Sequence, residues 1–391
     1  MIKFNKEKTL RFLKGFICGI IIAAAVVHIK ASCEVKLPDY DDLTVESKAA
    51  LIAAMLENNY IEDFDENDLA DKMYAGMADA MGDPYTVYLS KEQMDDFMSE
   101  AGGTMTGIGI VISQDEESGN CIISDVLENS PAESAGLMAG DVIISIDGSD
   151  VEGMSVIDVS ALTKGKNDTY MEIGILRNSS EEMMFNVKRS TVNLKYVDYK
   201  KDGNIGYIKI TEFTKTASEQ FKEALDDLLA QGIQGLIIDL RDNPGGVIDS
   251  AAEIGDMMLP ECTITYTVDK NGNRTDFTSE ESWCDLPLAL LVNGGSASAS
   301  ELLSGAVQDN GRGDIIGTQT YGKGIVQGLY GLSDGSGLKI TIQRYYTPNG
   351  VCIQGEGITP DYEAYTDAKD TSENDKQYVT AVEVLNDKIK D

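Results

Sequence analysis

The chain has 391 residues, 42% of them hydrophobic and 38 of them glycine, a globular composition long enough for two or three domains. Its formal net charge is −34, and beyond residue 30 it carries 26 basic against 65 acidic side chains. So acidic a body is repelled by nucleic acid and by anionic headgroups, which excludes nucleic acid as a partner; the charge itself serves solubility rather than fold.

The N-terminus is basic (Lys3, Lys6, Lys8, Arg11, Lys14) and leads into an uncharged apolar run from Gly15 to Ile29, closed by Lys30. That run is short for a bilayer span of about 20 residues unless the flanking lysines reach the interface. Residues 1–30 therefore read as a signal anchor forming a single-pass membrane helix, with a cleavable signal peptide as the alternative. Positive charge stays inside, so the expected location is the cell membrane with everything after Lys30 outside the cytoplasm, or export after cleavage. Cys33 suggests a lipoprotein site, but Lys30 stands where such a site requires an aliphatic residue. The six cysteines (Cys18, Cys33, Cys121, Cys262, Cys284, Cys352) contain no CxxC pair and suggest no zinc site; one or two disulfides are open to an exported chain, Cys262 and Cys284 being the nearest pair.

Residues 38–100 form a helical segment, with helices over 45–59, 67–81 and 90–99 and a stop at Gly82-Asp83-Pro84. From Thr104 to about Arg189 short apolar strands alternate with glycine turns, a small β-rich module over 104–190. An α/β pattern follows. Strand 205–210 leads to a helix over 216–230, strand 235–240 ends in Arg241-Asp242-Asn243-Pro244-Gly245-Gly246 before a helix over 247–258, and strand 288–292 ends in Asn293-Gly294-Gly295 before a helix over 298–308. Strand, turn and helix in series predict a parallel-type sheet with sites at the strand C-termini. Residues 191–362 make this core, and 363–391 read as an acidic tail with one weak helix.

An absence narrows the chemistry. The single histidine, His28, lies in the apolar N-terminal run, so the globular part has no Ser-His-Asp triad, Cys-His pair or HExxH site. A nucleophilic hydrolase built from this chain needs another base. Lysine is the main candidate, provided burial or a cationic neighbour brings its pKa from about 10.4 to roughly 7–8. Two segments supply the parts. Gly294-Gly295-Ser296-Ala297-Ser298-Ala299-Ser300-Glu301 sets three hydroxyls where a strand turns into a helix, next to free backbone N–H groups that can receive an oxyanion. Lys323 lies between Gly322 and Gly324, which permit close approach of another segment. The competing structural roles are N-capping for the serines, Ser298 with Glu301 being a fair capping box, and a surface turn for Lys323. A phosphate-binding loop at Gly317-x4-Gly322-Lys323 lacks its Ser or Thr and is followed by a strand.

The runs from Val292 to Glu301, from Tyr321 to Gln327 and from Asp239 to Gly246, with similarity reaching upstream through Gly76 to Ser90, together resemble the C-terminal processing (tail-specific) peptidases over roughly residues 40–362. The resemblance implies a multidomain α+β protein: an anchor, the helical segment, an inserted PDZ domain and a crotonase-like α/β protease core. It implies Ser298 as nucleophile, Lys323 as general base, Gln327 as the amide that orients the lysine, and an oxyanion hole from the Ala299 N–H with that of Gly245 or Gly246. Asp239 and Arg241 match the same motif and are read as holding the loop. Thr106-Gly107-Ile108-Gly109-Ile110 resembles the carboxylate-binding loop of a PDZ domain, with Gly107, Ile108, Gly109 and Ile110 taking the substrate's C-terminus.

The implied activity is metal- and cofactor-free serine endoproteolysis near the C-termini of extracytoplasmic proteins with apolar tails; the resemblance leaves room for a homodimer. The alternative is a catalytically silent PDZ scaffold that binds protein C-termini, which intact Ser298, Lys323 and Gln327 speak against. A crotonase-like ligand-binding or acyl-transfer protein is disfavoured by the export signal and the PDZ-like module.

Overall fold

A computed structural model describes residues 44–115, 118–178, 180–281, 284–366 and 375–390. The proposed anchor, His28, Cys18 and Cys33 lie outside these residues; among the described residues no helix is long and apolar enough to cross a membrane. The chain divides into two compact units, one ending at Leu69 and one beginning at Ala70. In the first, helix Val45–Asn59 is capped by the Thr44 hydroxyl, which accepts from the Ser47 N–H, and none of its residues is buried.

The second unit is built on three large sheets and a two-stranded one, in which Thr104–Gly107 pairs with Ser190–Asn193. The PDZ-like module is an antiparallel sheet ordered Ile110–Gln114, Cys121–Val126, Val142–Ile146, Tyr170–Arg177, Glu181–Lys188, with Ile110–Gln114 at its edge. Ile173 and Ile175, alternate residues of one strand, meet Ile146 and Ile143 of its neighbour across a register irregularity, and together they form a core separate from that of the α/β part.

The α/β core is a six-stranded sheet ordered Val197–Asp202, Ile205–Ile210, Gly235–Asp239, Leu288–Val292, Asp314–Gly317, Tyr362–Glu363; the first pair is antiparallel and the rest are parallel. Both faces are covered, which is why Gly235–Asp239 and Leu288–Val292 read as unbroken apolar runs. Leu236, Ile238, Leu288, Leu290 and Val292 face helices Ala217–Ala230, Ile248–Met258 and Ala299–Asp309. Ile237, Ala289 and Leu291 face the other way, onto helix Lys376–Lys390. That helix corrects the tail reading of the C-terminal residues: Ala381 and Leu385 are fully buried against the sheet. Its apolar stripe (Tyr378, Ala381, Val382, Leu385, Ile389) has helical spacing but is diluted among charges. A third, antiparallel sheet joins Val87–Leu89, Gly337–Tyr346, Thr263–Asp269 and Arg274–Thr278, with Ile325–Gly331 paired to Gly337–Tyr346.

One buried charge network ties the last helix to the sheet. Asp239, with no exposed surface, accepts from the Arg241 guanidinium and from the Tyr207 hydroxyl, while Arg241 Nη1 reaches Asp375 Oδ2 at 2.7 Å and Gln377 Oε1 at 3.0 Å. Arg241 is the cation that makes burial of Asp239 tolerable; without it the carboxylate faces the low-dielectric interior unpaired. Arg241→Met is expected to lower unfolding free energy by about 3 kcal/mol, measured by urea denaturation, against a change within about 0.5 kcal/mol for an exposed control such as Lys222→Met.

Candidate active site

The site lies where two adjacent parallel strands end. After Gly235–Asp239 the chain turns through Asn243, which is fully buried. Its side-chain amide donates to the Ile210 carbonyl and its Oδ1 accepts from the Gly245 N–H. Gly245 and Gly246 have φ of +104° and +134°, conformations closed to most side chains. A Cβ on Gly245 would come within 2.7 Å of the Ser298 Cβ and 2.9 Å of the Ala299 nitrogen. The first glycine therefore packs directly on the turn that follows Leu288–Val292. Its own N–H is taken by Asn243, whereas the N–H groups of Gly246 and Ala299 have no acceptor among the described residues.

The three serines of that turn have different surroundings. Ser296 is fully buried; its hydroxyl donates to the Leu240 carbonyl at 2.7 Å and accepts from the Asn293 N–H. Ser300 is also fully buried and donates to the Asn243 carbonyl at 3.0 Å. Both lock the turn onto the neighbouring loop. Ser298 makes no such hydroxyl bond and instead lines a cavity of about 370 Å³. Its backbone stands at φ +54°, ψ −112°, a strained conformation for a residue with a Cβ, costing on the order of 1–3 kcal/mol. It caps helix Ala299–Asp309.

The Glu301 carboxylate, with no exposed surface, joins this turn to the Lys323 loop. Oε2 accepts from the Ser298 N–H and the Lys323 N–H, each at 2.8 Å. Oε1 accepts from the Thr320 hydroxyl at 2.6 Å and the Gly322 N–H at 2.7 Å. Tyr345, also buried, makes a second bridge: its hydroxyl lies 2.7 Å from the Ser298 carbonyl and 2.6 Å from the Lys323 carbonyl. A capping glutamate is legible in the sequence; that its two oxygens serve two segments is not. Tyr345 carried no sequence signal.

Lys323 lines the same cavity, its ammonium 4.4 Å from the ring centroid of Tyr85. Among the described residues no carboxylate pairs with it. Burial pushes its pKa down, the charge of Lys339 pushes the same way, and Glu301 and Asp83 oppose. Gln327, on strand Ile325–Gly331, lines the cavity too; its Nε2 is buried without a partner, and its amide forms no hydrogen bond to Lys323 here. Phe97, Glu100 and Ala101, from helix Lys91–Ala101, contribute another wall.

The PDZ-like loop stands apart from this cavity. Gly107 ends strand Thr104–Gly107, Ile110 begins the edge strand, and Ile108 and Ile110 are buried. Gly109 has φ +82°, and a Cβ there would fall 2.3 Å from the Ser130 Cβ. Among the described residues the four cysteines are free thiols, and no cluster of His, Cys, Asp or Glu is arranged to hold a metal ion.

Peptidase family S41 matches residues 204–364, and the PDZ domain family matches residues 96–175. The carboxyl-terminal-processing protease of Synechocystis sp. is 37% identical, with 79% of this chain and 75% of that protein covered. A Staphylococcus haemolyticus protein named "Probable CtpA-like serine protease" is 31% identical over 92% of this chain and 73% of its own length. Among solved structures, the photosystem II D1 C-terminal processing protease superposes with a TM-score of 0.50 at 30% identity, covering 86% of this chain and 91% of that one. A mixed α/β chain with a PDZ domain and this strand-end site, so related, is a serine-type peptidase and belongs to peptidase family S41, among the carboxyl-terminal-processing proteases.

Proposed function

We propose that Ser298 and Lys323 form a Ser-Lys dyad that cleaves extracytoplasmic proteins near their C-termini. One observation carries this: of the three serines, only Ser298 lines a cavity shared with a half-buried lysine that lacks an ion-pair partner. The Lys323 amine, in its neutral form, takes the Ser298 Oγ proton as Oγ attacks the peptide carbonyl. The oxyanion accepts from the Ala299 and Gly246 N–H groups. Gly246 is the better of the two glycines because the Gly245 N–H already donates to Asn243. Lys323 then returns the proton to the leaving amine, and water resolves the acyl-enzyme. Gln327 would orient the lysine by turning its Oε1 to accept from Nζ, a bond it does not make in this structure.

The PDZ domain, over residues 104–190, would hold the substrate's apolar tail as an added strand along the Ile110–Gln114 edge, its carboxylate on the amides of 107–110. Residues 1–30 would tether the protein to the membrane, with signal cleavage as the alternative; residues 38–100 and 191–362 make the helical segment and the crotonase-like core. That core would extend to the helix ending at Lys390.

Three outcomes are expected. With the full chain and an unstructured protein substrate, Ser298→Ala abolishes cleavage. Ser296→Ala and Ser300→Ala keep measurable activity while losing about 1–2 kcal/mol of stability, from the buried hydrogen bonds they sever. Cleavage by Ser298→Ala at the wild-type rate would refute the dyad.

Lys323→Met is expected to be inactive yet to melt at a higher temperature than wild type at pH 7. The folded state holds this lysine below its unfolded pKa, so the unfolded chain binds the extra proton and the penalty is fully present below the folded value. The melting difference should close as pH rises towards about 10.4, where the unfolded lysine also loses its charge.

Glu301→Gln leaves one of the two oxygen positions unable to accept, stranding a pair of donors. kcat is expected to fall about tenfold or more with KM changed less than threefold, read from steady-state cleavage of a quenched peptide.

A further inference from the structure

A second lysine lines the catalytic cavity. Lys339 lies on strand Gly337–Tyr346, across from Leu329 in one register and Val87 in the other. Gln327 and Leu329, alternate residues of the paired strand, line the same cavity, so this face of the sheet looks into the cleft. The Lys339 ammonium is held 5.2 Å from the Phe97 ring centroid, and the side chain is half-buried. Among the described residues neither Lys339 nor Lys323 is ion-paired, although the chain carries 66 acidic side chains. Two amines without an ion-pair partner line one cavity, so each raises the cost of charging the other.

Resting on the assignment of Lys323 as general base, we propose that Lys339 is a positioning residue for proteolysis: held over Phe97 in the cavity wall, its charge disfavours a second charge on Lys323 and so keeps the base free to take the Ser298 proton.

Other groups facing Lys323 do not supply this effect. Asp83, in the turn before strand Val87–Leu89, and Glu301, in helix Ala299–Asp309, favour its charged form. So does the face of Tyr85 beneath the ammonium. Tyr321 lies two residues away on the same loop. Glu100, Glu212 and Asp249 line the cavity as well, and acids there favour a cation. Burial depresses the Lys323 pKa most, and Lys339 is the one charged group that adds to it.

The test is the pH profile of kcat/KM from pH 5.5 to 10 for the full chain, on a peptide without acidic side chains, for a charge series at position 339. Activity rises as Lys323 loses its proton. Lys339→Arg should keep the wild-type midpoint. Lys339→Gln should move it alkaline by about one pH unit, an about tenfold loss below the midpoint and none above it. Lys339→Glu should move it further in the same direction, giving a second reading should the first variant fold poorly. An unmoved midpoint in both variants, or a loss equal at every pH and confined to KM, would overturn the proposal and assign Lys339 to substrate binding. Lys323→Met, run alongside, separates the two levels. If it cleaves normally, the base assignment fails; if it is inactive while Lys339→Gln keeps the wild-type midpoint, only the role of Lys339 fails.

Discussion

The site depends on one buried carboxylate. Glu301 Oε2 holds the backbone N–H of Ser298 and that of Lys323, while Oε1 holds Thr320 and Gly322. Two segments that approach from different strand ends are thereby fixed to one group, and four donors supply what a carboxylate requires when it leaves water. Tyr345 repeats the linkage through the Ser298 and Lys323 carbonyls, from a third segment. The strained φ of Ser298 persists because its N–H, its carbonyl and both flanking serines are all anchored.

Around that clasp the electrostatics are divided. The backbone of the Lys323 loop is bound to a carboxylate, yet its side chain points into a cavity where no carboxylate pairs with it. Negative charge holds the loop in place while the amine sits half-buried in a cavity that a second lysine, Lys339, also lines. A half-buried lysine of this kind costs stability when protonated, and the core offsets that cost through the doubly covered sheet and the Asp239–Arg241–Asp375 network. The same network joins the loop after strand Gly235–Asp239 to the start of helix Lys376–Lys390.

Much of this was legible in the sequence. Helix 45–59 and strands 205–210 and 288–292 match the structure residue for residue, because helical spacing of apolar residues marks the first and predominantly apolar runs mark the strands. The strand-end turns at Gly245 and Ser298 were legible from their glycines and small residues. Ser298 was singled out from Ser296 and Ser300 only by the family resemblance, since all three share a turn; in the structure burial separates them. Glu301 read as a cap because periodicity reports neighbours along one helix, not a loop 22 residues further on. Lys339 reaches the cavity through strand pairing, Tyr345 reaches the Lys323 loop through its hydroxyl, and Tyr85 reaches Lys323 from a turn more than 200 residues earlier, contacts that no local pattern records. The last helix was underrated because its apolar stripe is interrupted by lysine and acid at almost every turn.

The protonation state of Lys323 is read most directly by NMR titration of the chain labelled with 13C at lysine Cε, using Lys323→Arg to assign the resonance. A single lysine signal that titrates well below the others, and is missing from the variant, is the expected result. A Lys323 signal that titrates with the bulk of the lysines near pH 10.4 would contradict a free-base lysine as the partner of Ser298.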